Sequence, residues 1–503
     1  MRTAILTAVS ACLLFAQPGA DLRRIYHERY AARMLPLLCE AVAFRTEPGN
    51  KDAVARQAAW LQGVARQLGL AYRDAGPVTE IELPGPSGAP VLGLVVHGDV
   101  QPAGEAEWTV PPFACTVRDG YVYGRGTADD KGPLVQALLA LAAFRDSGRA
   151  RTHTVRLLVG SDEESDNQDL ATYRKSNTLP DLSLVLDSQF PVVVGEKAWD
   201  ALELTVAEPY RIRGASEARW AIIEAEAGIV PSIVPPRATA RLRWLPEDLA
   251  GFEEAARALC PAALPQGYRC QAAPTGREVV VTAIGRAAHS GMNIDGGRNA
   301  LVFLANALGG KLAPCGARDL LEFAVMAGKD LHGGGLGLTQ EDPVWGRYAV
   351  NVATLKPAQG GKLALTTNLR RIPPMTHEQI RSHLERIVSD FNRAHGASLE
   401  AGGYFQGEPL IFDPNAKLVR RLLEIYQRAT GEKARPAVAG GGTYAKRLPN
   451  AIAFGMWFPE QVYPGHDVDE RVPIQDLHRG VDVLLEALAD LACSAPLAEP
   501  LRP

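Results

Sequence analysis

The 503-residue chain lacks most of the short motifs that would assign it a function at once. It has no His-Glu-x-x-His run, which excludes the single-zinc helix motif. None of its seven cysteines shows the C-x-x-C spacing of a zinc site. The G-x-G in "GRGTADDKG" has no third glycine at the offset a dinucleotide site needs. Lys/Arg-rich blocks are absent and the net charge is only −4, so nucleic acid is not an expected partner. No internal repeat of roughly 20 to 50 residues is present, which excludes solenoids and propellers. A composition of 47% hydrophobic and 22% charged residues fits neither collagen-like nor disordered chains.

The N-terminus has a different character. "MRTAILTAVSACLLFAQPGA" carries one early arginine, an apolar run from Ala4 to Ala16, then Gln-Pro-Gly-Ala. That pattern predicts a Sec-type signal peptide over 1–20, cleaved near Ala16 or Ala20, and a periplasmic location. "VSAC", ending at Cys12, loosely resembles a lipoprotein processing box, but the apolar run continues past it. Beyond the leader no apolar stretch reaches the ~18 residues of a membrane span. Export permits disulfides, and Cys260 and Cys270, flanking "PAALPQGYR", are the best candidate pair.

The length predicts two domains. Helical periodicity covers Leu22 to about Leu70. Strand-like segments follow in "EIELPG", "PVLGLVVHGDV" and "YVYGRGT", then a buried-face helix in "GPLVQALLALAAFRDSG". "HTVRLLVGSDEE" and "LSLVLDSQFPVVVGEKA" read as further apolar strands ending in acids. This alternation predicts an α/β fold, a mixed sheet flanked by helices, whose active crevice lies at strand carboxyl ends. From about 202 to 401 the texture is α+β, and from Tyr404 the α/β texture returns. The expected organisation is a catalytic domain in two parts, 21–201 and 402–503, around an inserted lid domain, 202–401.

The polar residues at predicted strand ends are His97 and Asp99, Asp129 and Asp130, Glu163 and Glu164, Asp187, and His466. Imidazoles and carboxylates crowded on one rim are costly unless a cation neutralises them. Mixed ligands of this kind suit zinc, with manganese or cobalt as alternatives. Each piece alone is weak: an Asp pair is commonly a helix cap, and "DEES" a solvated loop.

The joint order of the pieces carries more. "HGDVQPAG", "PPFACTVRDGYVYGRGTADDKGP", "SDEESDNQDL", "LDSQFPVVVGEKA", "AAHSGMNIDGGRNA" and "GGGTYAKRLPNAIAFGMWFP…H" together resemble the co-catalytic dizinc exopeptidases. These include PepV-type dipeptidases, carnosinases, aminoacylases and glutamate carboxypeptidases. The PepV-type Xaa-His dipeptidase branch is the most similar. The resemblance spans about residues 30 to 490. It implies two divalent metal ions, with His97 and Asp187 on one, Glu164 and His466 on the other, and Asp129 bridging both. It also implies Glu163 as general base, Asp99 bracing the far nitrogen of His97, and His289 of "AAHSG" as a donor to the oxyanion. Arg370 in "TTNLRRIP" would take the substrate carboxylate, with Arg371 as its rival. Asn299 and the Gly440–Thr443 run, Gly441 in particular, would contact substrate. Three positions depart from the pattern: Ser232, Gln189 and Asp166 stand where Asn, an acid and Gly are usual.

The expected activity is therefore hydrolysis of dipeptides by metal-activated water with Glu163 as base. The alternative is an N-acyl-amino-acid amidohydrolase, and "GGKLAPCG…GGGLGLTQED" favours the dipeptidase. A catalytically dead binding protein on the same fold is disfavoured, since the base and all five metal ligands are retained. A monomer and a homodimer are both compatible with the sequence.

Overall fold

A computed structural model describes residues 18–105 and 108–496. The expected signal segment lies outside the described residues as far as residue 17. A helix, Ala20–Arg29, begins directly after it and buries Leu22 and Tyr26.

The protein is a mixed α/β molecule built on two large sheets. In the first, the strands Thr154–Gly160, Val91–His97, Leu182–Val185 and Ala451–Ala453 run parallel as neighbours. Antiparallel strands Thr79–Leu83 and Ala71–Asp74 extend one edge, and Val193–Glu196 and Leu410–Ile411 the other. Val91–His97 is buried from Leu92 onward, as a parallel strand covered on both faces must be. The helix Lys131–Asp146, buried at every position from Lys131 to Phe144, links it to Thr154–Gly160. Its run of leucines and alanines serves a helix packed on all sides. Each leucine fully removed from water there contributes about 2 kcal/mol.

The second sheet has eight strands and is antiparallel throughout. Arg237–Trp244 alternates between buried and exposed positions, the mark of a sheet with one solvated face. Helices Ala300–Leu308 and Gly316–Ala327 pack against it. So does His377–His395, which starts on a Thr376–Gln379 capping box and ends at Gly396, in the left-handed region. The chain passes from the first sheet to the second between Glu196 and Ala198, and returns between Gln406 and Leu410. Two separate hydrophobic cores result, one under each sheet.

One expectation needs correction. "LSLVLDSQFPVVVGEKA" is not one strand but three: Leu182–Val185, Ser188–Gln189 and Val193–Glu196. Pro191, which has no N–H to donate, lies in the gap between the last two. Cys260 and Cys270 are bridged, and so are Cys39 and Cys115, a pair the sequence did not single out.

Candidate metal centre

Parallel strands of the first sheet deliver the site from their carboxyl ends. His97 closes Val91–His97, Glu163 and Glu164 follow Thr154–Gly160, and Asp187 follows Leu182–Val185. Gly98 is required by packing: a Cβ there would lie 2.1 Å from Gln57 Oε1, and Gln57 Nε2 donates to the Gly98 carbonyl at 3.0 Å. Asp129 sits at the end of a loop wrapped around a buried carboxylate. The backbone N–H groups of Gly126, Ala128 and Asp129 all donate to Glu470 Oε1, at 3.1, 2.9 and 3.1 Å. Glu470 Oε2 takes Arg125 at 2.7 Å.

The two oxygens of Asp129 face different imidazoles. Oδ1 is 2.9 Å from His97 Nε2 and Oδ2 is 3.3 Å from His466 Nε2. Asp187 Oδ2 lies 3.9 Å from His97 Nε2, and Glu164 Oε2 lies 3.1 Å from His466 Nε2. His97, Asp129 and Glu164 can bring one ligand atom each to a common point, as can His97, Asp130 and Asp187.

The electrostatics show an unsatisfied site. Burial and the neighbouring Asp187 charge push the Glu163 carboxyl well above its ordinary range. Burial, with Asp129 and Asp130, does the same to Asp187. Burial alone would lower His466, but Glu164 and Asp129 outweigh it and raise the imidazole to about 10. For His97, too, hydrogen bonds to Asp129 and Asp99 overcome burial and raise it strongly. His466 Nδ1 and Asp130 Oδ1 are buried with no hydrogen-bond partner among the described residues. A borderline set of nitrogen and oxygen donors with this charge fits zinc-type divalent ions.

Asp99 touches the ring of His97 and does more besides. Its backbone carbonyl is the nearest acceptor to His97 Nδ1, at 3.0 Å, and its carboxylate lies 3.5 Å from the same nitrogen. The carboxylate also accepts the backbone N–H groups of Glu163 and Glu164, at 3.2 and 3.0 Å. Asp99 thus fixes the loop that carries both glutamates.

The second sheet's body contributes His289, whose ring stands 4.5 Å from that of His466. Its Nδ1 accepts N–H from Gly291 and Met292, both at 3.0 Å. That leaves Nε2 as the N–H. Burial, aided by the charges of His466 and Arg370, holds the ring well below its ordinary pKa, so it is neutral. The two bodies meet where only glycine fits: a Cβ on Gly440 would lie 1.7 Å from the Gly291 carbonyl oxygen. Gly441 donates its N–H to Met292 Sδ at 3.0 Å. Arg370 is 3% exposed and donates from Nη2 to Ser290 Oγ at 2.9 Å, while Nε has no partner. Arg371 instead pairs with Asp200 at 2.8 Å.

Asn299, which the resemblance puts at the substrate, caps Ala300–Leu308. Its Oδ1 accepts Val302 N–H at 3.0 Å and its Nδ2 donates to the Val352 carbonyl at 2.9 Å, so its carboxamide is engaged on both sides. Three residues the sequence reading passed over complete the site. One is Glu470, an acid four residues past His466. The second is Tyr463, whose hydroxyl donates to Asp129 Oδ2 at 2.5 Å. The third is Trp457, whose indole N–H is buried without a partner. Tyr463 and Trp457 help line a cavity of about 50 Å³ with Asp129, Glu163, Glu164 and His466.

Imidazoles and acids gathered at parallel strand ends, under a neutral histidine from a second body, define a metal-dependent hydrolase. The sequence profile of the peptidase family M20/M25/M40 matches residues 93–490, and the chain belongs to that family of metallopeptidases. A Bacillus subtilis (strain 168) relative, named "Putative dipeptidase YtjP", is 29% identical over 411 residues, 80% of this chain and 84% of its own. A Staphylococcus haemolyticus relative, "Putative dipeptidase SH1171", is 28% identical over 88% of this chain and 91% of its own. Among solved structures, human carnosine dipeptidase 1 superposes with a TM-score of 0.57 at 14% identity, covering 94% of this chain and 99% of that one. The Saccharomyces cerevisiae di-peptidase Dug1p does so with a TM-score of 0.58 at 14% identity, covering 94% and 98%. At that identity the two structures speak for the fold.

Proposed function

We propose that the chain is a metal-dependent dipeptidase that holds two divalent cations, zinc first among them. The observation that carries this reading is the double-facing carboxylate of Asp129, one oxygen toward His97 and the other toward His466. His97 and Asp187 would hold one ion, Glu164 and His466 the other, with Asp129 shared. Bound there, the cations would polarise the scissile carbonyl and acidify a water molecule.

The chain's own residues supply the rest. Glu163, whose carboxyl is already drawn toward the protonated form, takes a proton from the attacking water and returns it to the leaving amine nitrogen. His289 Nε2–H donates to the carbonyl oxygen as it gains charge, and its neutral ring needs no proton rearrangement to do so. The buried Arg370 guanidinium, without a carboxylate of its own, takes the substrate's free C-terminal carboxylate. Gly441 lets the substrate main chain approach closely. Asp99 and Glu470 position the loops that carry the base and the shared ligand. The body under the second sheet acts as an inserted lid. An exported enzyme also fits the two disulfides, which are at home in an oxidising compartment. Gly19 N–H docks on the buried Glu486 at 2.8 Å, which favours leader cleavage near Ala16 over Ala20.

The test is hydrolysis of Ala-Ala by zinc-loaded protein, with chelated protein and the Glu163→Gln variant alongside. Dipeptide turnover that needs both metal and Glu163 is expected. Cleavage of N-acetyl amino acids without dipeptide cleavage would instead assign an amidohydrolase.

A further inference from the structure

Against the glycine run that lines the cavity lies a second concentration of charge, and it is positive. Lys446 follows the glycine run Gly440–Gly442. Its Nζ donates to the Lys197 carbonyl at 2.6 Å, and a Cβ on Gly442 would lie 3.1 Å from that Nζ. The ammonium therefore lies against Gly442, which lines the cavity. Lys197 Nζ in turn donates to the Arg347 carbonyl at 2.6 Å. Arg370 approaches the same strip from its other end, with Nε 3.0 Å from the Cβ position of Gly291, the residue that abuts Gly440. Burial, with the Arg370 charge adding to it, lowers Lys197 to about 8. Burial also lowers Lys446 to about 8, although Glu196 opposes the shift.

Each of the three cations donates to a carbonyl or hydroxyl, and none forms an ion pair with a carboxylate among the described residues. The carboxylates that act on Lys446 belong to Glu196 and Asp200, and Asp200 is occupied by Arg371. With the buried Glu196, held by the Thr443 N–H and hydroxyl, set against Lys446, the charges of Arg370 and Lys197 still remain in surplus. A desolvated surplus of this kind is costly unless a ligand anion completes it. One free carboxylate, on Arg370, does not exhaust it. Gly440 and Gly442 are two residues apart, at most roughly 7 Å of chain. The two carboxylates of one acidic residue, a few C–C bonds of about 1.5 Å apart, can address both ends of that strip.

We propose that Lys446, with Lys197 behind it, forms a subsite for a side-chain carboxylate on the substrate's C-terminal residue, so that dipeptides ending in glutamate or aspartate are preferred. This rests on the dipeptidase reading and narrows its substrate class. Ammonium–carboxylate contacts in such sites favour the charged ligand over its neutral isostere by about tenfold or more.

The experiment compares Ala-Glu with the isosteric Ala-Gln on the full chain loaded with zinc. A kcat/KM ratio of about ten or more for Ala-Glu is expected, expressed mainly in KM. Lys446→Gln should bring the ratio close to one, and Lys446→Arg should restore it. Calorimetric binding of free L-glutamate against L-glutamine reads the same cations without turnover. If Ala-Gln is cleaved as well as Ala-Glu and glutamine binds as tightly as glutamate, the subsite is overturned while the dipeptidase stands. If glutamate binds through Lys446 but no dipeptide is cleaved, the dipeptidase reading falls and the anion subsite stands. A Lys446→Gln ratio equal to the parent's would make Lys446 a structural tether only, and the proposal would fail.

Discussion

The two sides of the cleft carry opposite charges that neither side neutralises for itself. On one rim Asp129, Glu163, Glu164 and Asp187 crowd around His97 and His466, and the proton affinities of Glu163, Asp187, His97 and His466 are raised. Across the glycine strip, Arg370, Lys197 and Lys446 are held by carbonyls and a hydroxyl. Lone buried charges are destabilising, so two unneutralised clusters of opposite sign mark two ligand demands. One calls for cations and the other for carboxylates. On the proposed reading, the two together would orient a peptide, its scissile carbonyl toward the acids and its C-terminus toward the bases. The structural body beneath the second sheet offers a contrast. Its surface pairs, such as Arg243–Glu278 and Arg381–Glu385, are exposed and mutually satisfied, and ask for nothing.

The largest break in this polarity comes at the base. Glu163→Gln should lower kcat by about 10^3-fold or more while leaving zinc binding by calorimetry nearly unchanged. Retained turnover would remove Glu163 from the proton path. Next in size, Arg370→Met should lower kcat/KM for Ala-Ala by about a hundredfold, because a desolvated carboxylate loses its partner. A fall confined to kcat would place Arg370 at the reacting carbonyl instead. Loss of the Asp99 carboxylate comes third. Asp99→Asn removes part of the acceptor for the Glu163 and Glu164 amides and should lower kcat by about tenfold to a hundredfold. The weakened zinc affinity expected alongside would be read by competition with a chelator.

The smallest effect concerns the metal-free protein. His97, His466, Glu163 and Asp187 all hold protons to higher pH folded than unfolded. A group whose folded pKa is raised contributes stability that is complete below its unfolded value and lost as pH rises through the folded one. For His466 that window runs from about 6.5 to about 10. Buried Lys197 and Lys446, lowered to about 8, act in the opposite sense over the same range, so the His466 share is read as a difference: in thermal melts, the stability lead of metal-free parent over His466→Ala should shrink as pH rises through this window, and zinc should flatten that trend. A lead that grows with pH would contradict the charge assignment.

Much of the site was legible because its chemistry sits at the ends of apolar runs. His97, Glu163, Glu164 and Asp187 each follow a buried strand, and the parallel sheet brings those ends to one edge. The structure places Asp129, His466 and His289 beside them, as the order of motifs suggested. What stayed hidden depends on long-range packing. Glu470 is one of several acids in "HDVDE", and only the fold shows three backbone amides converging on it. Tyr463 and Trp457 look like ordinary core aromatics. The capping contacts of Asn299 were not legible either, because the residue that suits a substrate contact also suits a helix cap. Cys39 and Cys115 are 76 residues apart, a separation that spacing alone cannot pair.

The central claim is that Asp129 is shared between two ions. Titrating metal-free protein with zinc while following dipeptide hydrolysis tests it most directly. Activity should rise to a plateau at two zinc ions per chain, and Asp129→Ala should bind neither ion tightly. A plateau at a single ion, or an Asp129→Ala variant that still binds two, would contradict the account.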